Sequence, residues 1–375
     1  MNNIKILTVF GTRPEGIKMA PIIKTMEKSE GIENIICITA QHREMLDQVL
    51  NIFNIEPDYD LNIFKPGQTL TEITTRALEG LEKVIIETKP DVLLVQGDTT
   101  TVFAGALAAF YQKVKVGHVE AGLRSGNLYS PYPEEANRRL TGVLTNFHFA
   151  PTENNRQNLL REGYPDDRIF ITGNTVIDAL NYVVKENYEF KYSSLNNIDY
   201  KNKRVILLTS HRRENIGKPM ENIFSAVKDI VNKYPDVELV FPIHLNPKVR
   251  DIAYRIFDNQ ERVHIIDPLD YEPFTNLMAR SYLVITDSGG LQEEAPSLGK
   301  PVLVVREETE RPEGIEAGTA KLVGTQYDNI YRELDILLSN EEEYYKMANA
   351  VNPYGDGKAS ERIVDIILKH GGSTV

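Results

Sequence analysis

The chain has 375 residues, 41% of them hydrophobic and 26% charged, with a formal net charge of −12. That length exceeds one ordinary core, so two domains are expected. The acidic balance argues against nucleic acid and anionic membranes as general partners, and confines any anion site to a local cluster of Arg, Lys and backbone amides.

The first apolar run, Ile4–Phe10, opens into Gly11-Thr12-Arg13-Pro14-Glu15-Gly16-Ile17-Lys18-Met19-Ala20-Pro21. A short buried-type strand followed by a glycine turn and a helix start puts backbone amides, Arg13 and Lys18 at the carboxyl end of a sheet. Ligands sit there in open α/β folds, and the two cations favour an anion, most simply a phosphate. Because a strand begins so early, with no charged leader, and no later apolar run reaches membrane-spanning length, a cytoplasmic protein is expected. The single cysteine, Cys37, excludes an internal disulfide and a thiolate metal site.

Strand-length apolar runs continue at Ile35–Thr39, Val92–Val95, Val114–His118 and Phe147–Ala150, separated by longer segments of mixed polarity. That alternation predicts a parallel sheet wrapped by helices. After the Asn- and Tyr-rich stretch 181–203 the pattern restarts at Val205–Thr209, Glu238–Pro242, Val263–Ile266, Leu283–Thr286 and Pro301–Val305. The expected fold class is α/β with two Rossmann-like domains, spanning 1–175 and 176–357. An amphipathic segment, Lys358 to His370, follows the breaker-rich Asn352-Pro353-Tyr354-Gly355-Asp356-Gly357. The closing helix, 358–375, is expected to cross back to the first domain.

Carboxylates fall at or just beyond the predicted strand ends: Asp98, Glu120, and the pair Glu134 and Glu135. Taken alone, Asp98 reads as an N-cap for the helix after it and Glu134 as a first-turn partner of a helix dipole. Together they suit proton transfer or a divalent cation such as Mg²⁺. No histidine pair has ligand spacing, and neither a metal nor a cofactor is expected. His211 and His244 follow equivalent strands of the second half and point to one crevice edge. Asp287-Ser288-Gly289-Gly290, ahead of Glu293 and Glu294, is a strand end opening into a helix. Its amides can meet a diphosphate, and Glu294 can accept the hydroxyls of a ribose.

Six motifs stand in order along the chain. They are Gly-Thr-Arg-Pro-Glu-x-Ile-Lys-Met-Ala-Pro (11–21), Gln-Gly-Asp-Thr (96–99), His-Val-Glu-Ala-Gly-Leu-Arg (118–124), Pro-Glu-Glu-x-Asn-Arg (133–138), His-Arg-Arg-Glu-Asn (211–215) and Asp-Ser-Gly-Gly-x-Gln-Glu-Glu (287–294). Over essentially its whole length the chain resembles the non-hydrolysing UDP-N-acetylglucosamine 2-epimerases. The resemblance implies a glycosyltransferase-B-like pair of Rossmann-type domains facing a central cleft, with UDP held mainly by the second. It implies reversible inversion at C2 to UDP-N-acetylmannosamine, by anti elimination of UDP to 2-acetamidoglucal and syn re-addition.

Carried over by motif position, Asp98, Glu120 and Glu134 look like the acid/base carboxylates and His211 stands beside the diphosphate. Arg13 and Lys18 look like cleft cations, and Ser288, Gly289, Gly290, Glu294 and Arg311 look like UDP anchors. Bacterial members are also described as activated by UDP-N-acetylglucosamine in an adjacent site, which Gln41, His42, Gln68, Arg212 and His244 would line. The family is commonly dimeric, and a homodimer supplying N-acetylmannosamine for cell-surface polysaccharide is the implied setting.

Four rivals remain to be separated. The hydrolysing branch releases free sugar and typically lacks the Arg-Pro-Glu-x-Ile-Lys-Met stretch. A UDP-sugar glycosyltransferase would need an acceptor, and a non-catalytic sensor would have no use for three carboxylates. An NAD-dependent epimerase would carry Gly-x-Gly-x-x-Gly after its first strand, which the Gly11 turn is not.

Overall fold

A computed structural model describes residues 3–372. They divide into two compact units, one running to Tyr182 and resuming at Tyr354, the other spanning Val183–Pro353.

The first unit is built on seven parallel strands: β1 (Ile4–Phe10), β2 (Ile32–Ile38), β3 (Tyr59–Asp60), β4 (Val92–Gln96), β5 (Lys115–Val119), β6 (Phe147–Ala150) and β7 (Ile169–Ile171). Their order is β3-β2-β1-β4-β5-β6-β7, with Ile4 opposite Ile32, Ile6 opposite Val92 and Val95 opposite His118. Helices cover both faces, so the central strands β1 and β4 are mostly apolar rather than alternating. Leu7, Val9, Leu93 and Val95 pack against Leu81 and Val84 of the helix Leu70–Thr88 and against Val102 and Ala106 of the helix Thr100–Tyr111. Sequence order reverses between β1 and β4, and a crevice opens at that point of such a sheet. The loops carrying Gly11 and Asp98 leave from these two strands.

The second unit repeats the scheme with β8 (Arg204–Thr209), β9 (Val237–Pro242), β10 (Val263–Ile266), β11 (Leu283–Thr286), β12 (Val302–Val304) and β13 (Ala320–Leu322). All pairs are parallel and the order is β10-β9-β8-β11-β12-β13. Here the reversal lies between β8 and β11, the strands that lead into His211 and Ser288.

The division falls a few residues from the expected 175/176 and 357/358, for a visible reason. Asn174 N–H donates to Tyr354 O at 2.7 Å, and the Asp178 carboxylate accepts from the backbone amides of Ala359 at 3.2 Å and Ser360 at 2.7 Å. These bonds tie the helix Thr175–Val183 to the return segment. The closing helix Ala359–His370 buries Ile363, Val364 and Ile367 and lies against the helix Arg13–Met26 of the first unit. Of the expected 358–375 helix, 373–375 lie outside the described residues. Among the described residues no helix is long and apolar enough to cross a membrane.

Candidate active site

In the first unit the Gly11 turn is packed to contact. A Cβ there would lie 2.0 Å from Thr39 Oγ1 and 2.7 Å from Thr101 Oγ1, so only glycine fits. Its N–H donates to Glu15 Oε2 at 3.1 Å, and Thr99 Oγ1 donates to Glu15 Oε1 at 2.7 Å. Glu15, 2% exposed, thereby fastens the turn after β1 to the turn after β4. Burial pushes its carboxyl up to about 7, against hydrogen bonds from Thr12, Thr99 and Gly11 that act to lower it.

Glu120, one residue beyond β5, is held in the left-handed region at φ 64°. Its carboxylate accepts from Lys18 Nζ at 2.7 and 2.6 Å, from Asn174 Nδ2 at 3.2 Å, and from Gln96 Nε2. Asp98 accepts a forked pair from Arg138, Nε at 2.9 Å and Nη2 at 2.6 Å, while Asn137 Nδ2 donates to its carbonyl at 2.9 Å. It is not the N-cap: Thr99 takes that place and its hydroxyl accepts from Val102 N. Freed from capping, the Asp98 carboxylate is 28% exposed at the sheet edge.

Arg138 and Asn137 belong to the helix Glu134–Leu144, whose first residue is Glu134. Glu134 Oε2 is buried and has no hydrogen-bond partner among the described residues. Its neighbour Glu135 is fully buried, receives the N–H of Ser125 at 3.0 Å and of Gly126 at 3.4 Å, and pairs with Arg138 and Arg139. The two adjacent acids thus differ: Glu135 fixes the preceding loop, and Glu134 keeps an oxygen unspent. His118 Nε2 lies 2.7 Å from Gly97 O, and burial lowers its imidazole to about 4, so it stands neutral under this edge.

Arg13 begins the helix Arg13–Met26, is half-buried, and makes no ion pair among the described residues. Gln41 Oε1 accepts from Thr101 Oγ1 at 3.2 Å and His42 N–H donates to Gly11 O at 3.1 Å, so both border the same turn. The oxygen of Gln68 accepts from Arg76 Nη1 at 2.8 Å and Lys65 N at 3.2 Å.

In the second unit the residue that organises the edge is Asp287, with no exposed surface. Its Oδ2 accepts from the amides of His211 and Arg212, each at 2.9 Å, from Ser210 Oγ at 3.1 Å and from Asn215 Nδ2 at 3.2 Å. Its Oδ1 lies 3.3 Å from His211 Nδ1, and Arg212 Nε donates to its carbonyl at 3.0 Å. The rings of His211 and His244 stack, centroids 5.5 Å apart and 16° from parallel. Sequence order had put them at equivalent strand ends, and here they touch.

Beyond Asp287 the chain opens. Ser288 N–H donates to Thr286 Oγ1 at 2.9 Å, and a Cβ on Gly289 would meet nothing within 4 Å. Glu294 lies close to Gly290, since a Cβ there would sit 3.3 Å from its Oε1. Arg311 is paired with the buried Glu293, and Thr309 Oγ1 donates to Gln292 Oε1 at 2.7 Å, which pins the 306–311 loop onto the helix Leu291–Ser297.

Sequence reasoning did not single out Glu15, Gln96, Arg138, Asn174 or Asp287 for these duties. Glu15, Gln96, Arg138 and Asp287 lie inside the motifs, which is the signal that was available; Asn174 lies in none. Among the described residues no group of three or more His, Cys, Asp or Glu is placed to hold a metal ion. Lys18 Nζ meets both carboxylate oxygens of Glu120, and Arg138 meets Oδ2 of Asp98.

Comparison with known proteins bears on this arrangement. The family model described as UDP-N-acetylglucosamine 2-epimerase matches residues 24–368. The UDP-N-acetylglucosamine 2-epimerase of Bacillus subtilis (strain 168) is 55% identical over 372 residues, covering 99% of this chain and 97% of that protein. The Escherichia coli (strain K12) protein of the same name is 56% identical over 369 residues, covering 97% and 98%. A crystal structure of UDP-GlcNAc 2-epimerase from Neisseria meningitidis bound to UDP-GlcNAc superposes with a TM-score of 0.85 at 53% identity, covering 98% of this chain and 100% of that one. The α/β fold of two Rossmann-type sheets is therefore the glycosyltransferase-B-like one of these enzymes. On a family match over most of the chain and a relative 55% identical over nearly its full length, the chain belongs to the UDP-N-acetylglucosamine 2-epimerase family.

Proposed function

We propose that the protein interconverts UDP-N-acetylglucosamine and UDP-N-acetylmannosamine without hydrolysis. A carboxylate takes the C2 proton, the C–H electron pair becomes the C1=C2 bond of 2-acetamidoglucal, and the C1–O pair leaves with UDP. Return of UDP to C1 and of a proton to the opposite face of C2 completes the inversion. Asp98, Glu120 and Glu134 share the proton transfers, while Arg13, Lys18 and His211 offset the charge that develops on the departing diphosphate. Ser288, Gly289, Gly290, Glu294 and Arg311 hold UDP. No metal and no cofactor enter this scheme.

The observation that carries this reading is the Lys18–Glu120 ion pair. It ties the Arg-Pro-Glu-x-Ile-Lys-Met stretch, which the hydrolysing branch typically lacks, to a carboxylate of the acid/base set. The further reading is that UDP-N-acetylglucosamine activates the enzyme from an adjacent site contacting Gln41, His42, Gln68, Arg212 and His244. The enzyme works as a cytoplasmic homodimer that supplies N-acetylmannosamine for cell-surface polysaccharide.

Incubating the protein with UDP-N-acetylglucosamine in D₂O tests the chemistry. Deuterium at C2 of both epimers, with no free sugar and no loss of rate on chelation, is the expected result. Free N-acetylmannosamine with stoichiometric UDP would assign the chain to the hydrolysing branch instead. Activation predicts sigmoidal dependence on substrate and little reverse reaction from UDP-N-acetylmannosamine alone.

A further inference from the structure

We infer that Asp287 is the positioning residue for His211: it holds the proton on Nδ1, so that a second proton, on Nε2 and facing the departing diphosphate, makes the ring a cation. The inference rests on the reading above that places His211 beside the diphosphate.

The two oxygens of the Asp287 carboxylate have unlike surroundings. Oδ2 is saturated by four donors, the amides of His211 and Arg212 at 2.9 Å, Ser210 Oγ at 3.1 Å and Asn215 Nδ2 at 3.2 Å. Oδ1 is buried and has no conventional hydrogen bond, and the polar atom facing it is His211 Nδ1 at 3.3 Å. An ionised carboxylate only accepts, so the facing nitrogen must carry the proton. A buried oxygen left without a donor would pay its full desolvation cost, which makes the arrangement self-enforcing.

The remainder of the shell holds the ring in place. Two consecutive amides, those of His211 and Arg212, are bonded to Oδ2, so the backbone of the histidine is anchored to the same carboxylate that meets its side chain. Asn215 Nδ2 also donates to Val305 O at 3.1 Å, which fixes the far side of Oδ2 to the end of β12. His244 stacks on the ring and limits its rotation. This is the relation in which a buried acid orients a histidine, and its effect is on tautomer and direction rather than on contact with the substrate.

The asymmetry of the two oxygens makes Asp287→Asn an informative change, because it conserves shape. Four donors face Oδ2, so the amide oxygen of Asn must turn to them and its NH₂ must face His211 Nδ1. An NH₂ group donates, so Nδ1 would have to accept, and the ring could carry a proton on Nε2 only as a neutral imidazole, without the charge that offsets the diphosphate. Turnover of Asp287→Asn is expected to fall by at least about 100-fold while KM moves little, since the loss is of an interaction made in the transition state. His211→Asn should fall by a similar factor, and the double variant should fall no further, because the two act as one unit.

Long-range ¹H–¹⁵N correlation on protein labelled at histidine reads the tautomer directly, with the His211 signals assigned by their loss in His211→Asn. Protonated Nδ1 in the parent and unprotonated Nδ1 in Asp287→Asn are expected. Unprotonated Nδ1 in the parent overturns the inference whether or not the variant folds. So does normal turnover of Asp287→Asn beside an inactive His211→Asn, in which case His211 keeps its role. Normal turnover of His211→Asn itself would instead remove His211 from the proposed function.

Discussion

Lys18 Nζ lies 2.7 and 2.6 Å from the two carboxylate oxygens of Glu120, a residue 102 positions further along the chain. The pair is largely shielded, with side-chain exposures of 19% and 10%. Replacing Lys18 by Met would remove the cation that meets both oxygens of Glu120 while keeping the neutral donors Gln96 and Asn174. Breaking a shielded pair from one side costs about 3 kcal/mol. Denaturant unfolding of Lys18→Met should show a loss of that order, and Lys18→Met/Glu120→Gln should recover most of it without recovering turnover. An unchanged unfolding midpoint for Lys18→Met would show that the pair contributes nothing to stability.

The acid/base set makes a separable prediction. Asp98→Asn, Glu120→Gln and Glu134→Gln each keep shape and remove the exchangeable charge, so each should lower turnover by at least about 100-fold while UDP still binds. Glu135→Gln, by contrast, removes the charge facing Arg138 and Arg139 and should appear first as lost stability. Near-normal turnover in any of the first three, measured with UDP binding by calorimetry, would remove that residue from the mechanism.

Much of this was legible in the sequence, and what was not has a common cause. The central strands are long apolar runs; Ile4–Phe10 was read with the bounds β1 has. The edge strands β3, β7 and β13 are two or three residues long and were not read, because so short a segment has no periodicity to detect. Motif order pointed to Asp98, Glu120 and Glu134. It did not tell Glu134 from Glu135 as scaffold, because the distinction lies in which one meets the amides of Ser125 and Gly126. Asp287 was read as the residue before the Ser-Gly-Gly turn. Its duty depends on donors more than 70 residues away.

The Gly11 turn gives a prediction about packing. An alanine there would drive its Cβ to 2.0 Å from Thr39 Oγ1, and that hydroxyl also bonds Thr101 Oγ1 at 2.9 Å. Overpacking of this kind costs about 1–3 kcal/mol. Gly11→Ala should lose stability in that range, and Gly11→Ala/Thr39→Ala should regain part of it by removing the nearer obstacle. If thermal unfolding of Gly11→Ala matches the parent, the turn is looser than these contacts require.

His148 pairs in register with His118 across β5 and β6, is fully buried, and has no hydrogen-bond partner on either ring nitrogen among the described residues. Burial lowers its imidazole from 6.5 to about 3. The unfolded chain therefore binds this proton first, and stability is lost as pH falls from 6.5 towards 3. At pH 5 the loss from this one group is about 2 kcal/mol. His148→Phe keeps the ring against Tyr164, whose centroid lies 4.8 Å away, and removes the titration. The variant should match the parent at pH 7.5 and exceed it at pH 5 in urea unfolding; parallel pH profiles for the two proteins would refute this account.

Glu15 should act in the opposite sense. Its carboxyl stands at about 7 in the folded chain against an ordinary 4.5, raised first by burial. The folded state holds the proton more tightly than the unfolded one. The contribution is therefore complete below pH 4.5 and is lost as pH rises through 7, an effect of about 3 kcal/mol for a fully buried group. Glu15→Gln is neutral throughout, and its amide can keep the bond from Gly11 N–H while its NH₂ donates to Thr99 Oγ1, a hydroxyl able to accept. The stability of the variant minus that of the parent should accordingly increase between pH 5 and pH 8. A difference that stays flat over that interval would mean that the Glu15 carboxyl titrates at its ordinary position, and that Thr12, Thr99 and Gly11 stabilise its charge fully against burial.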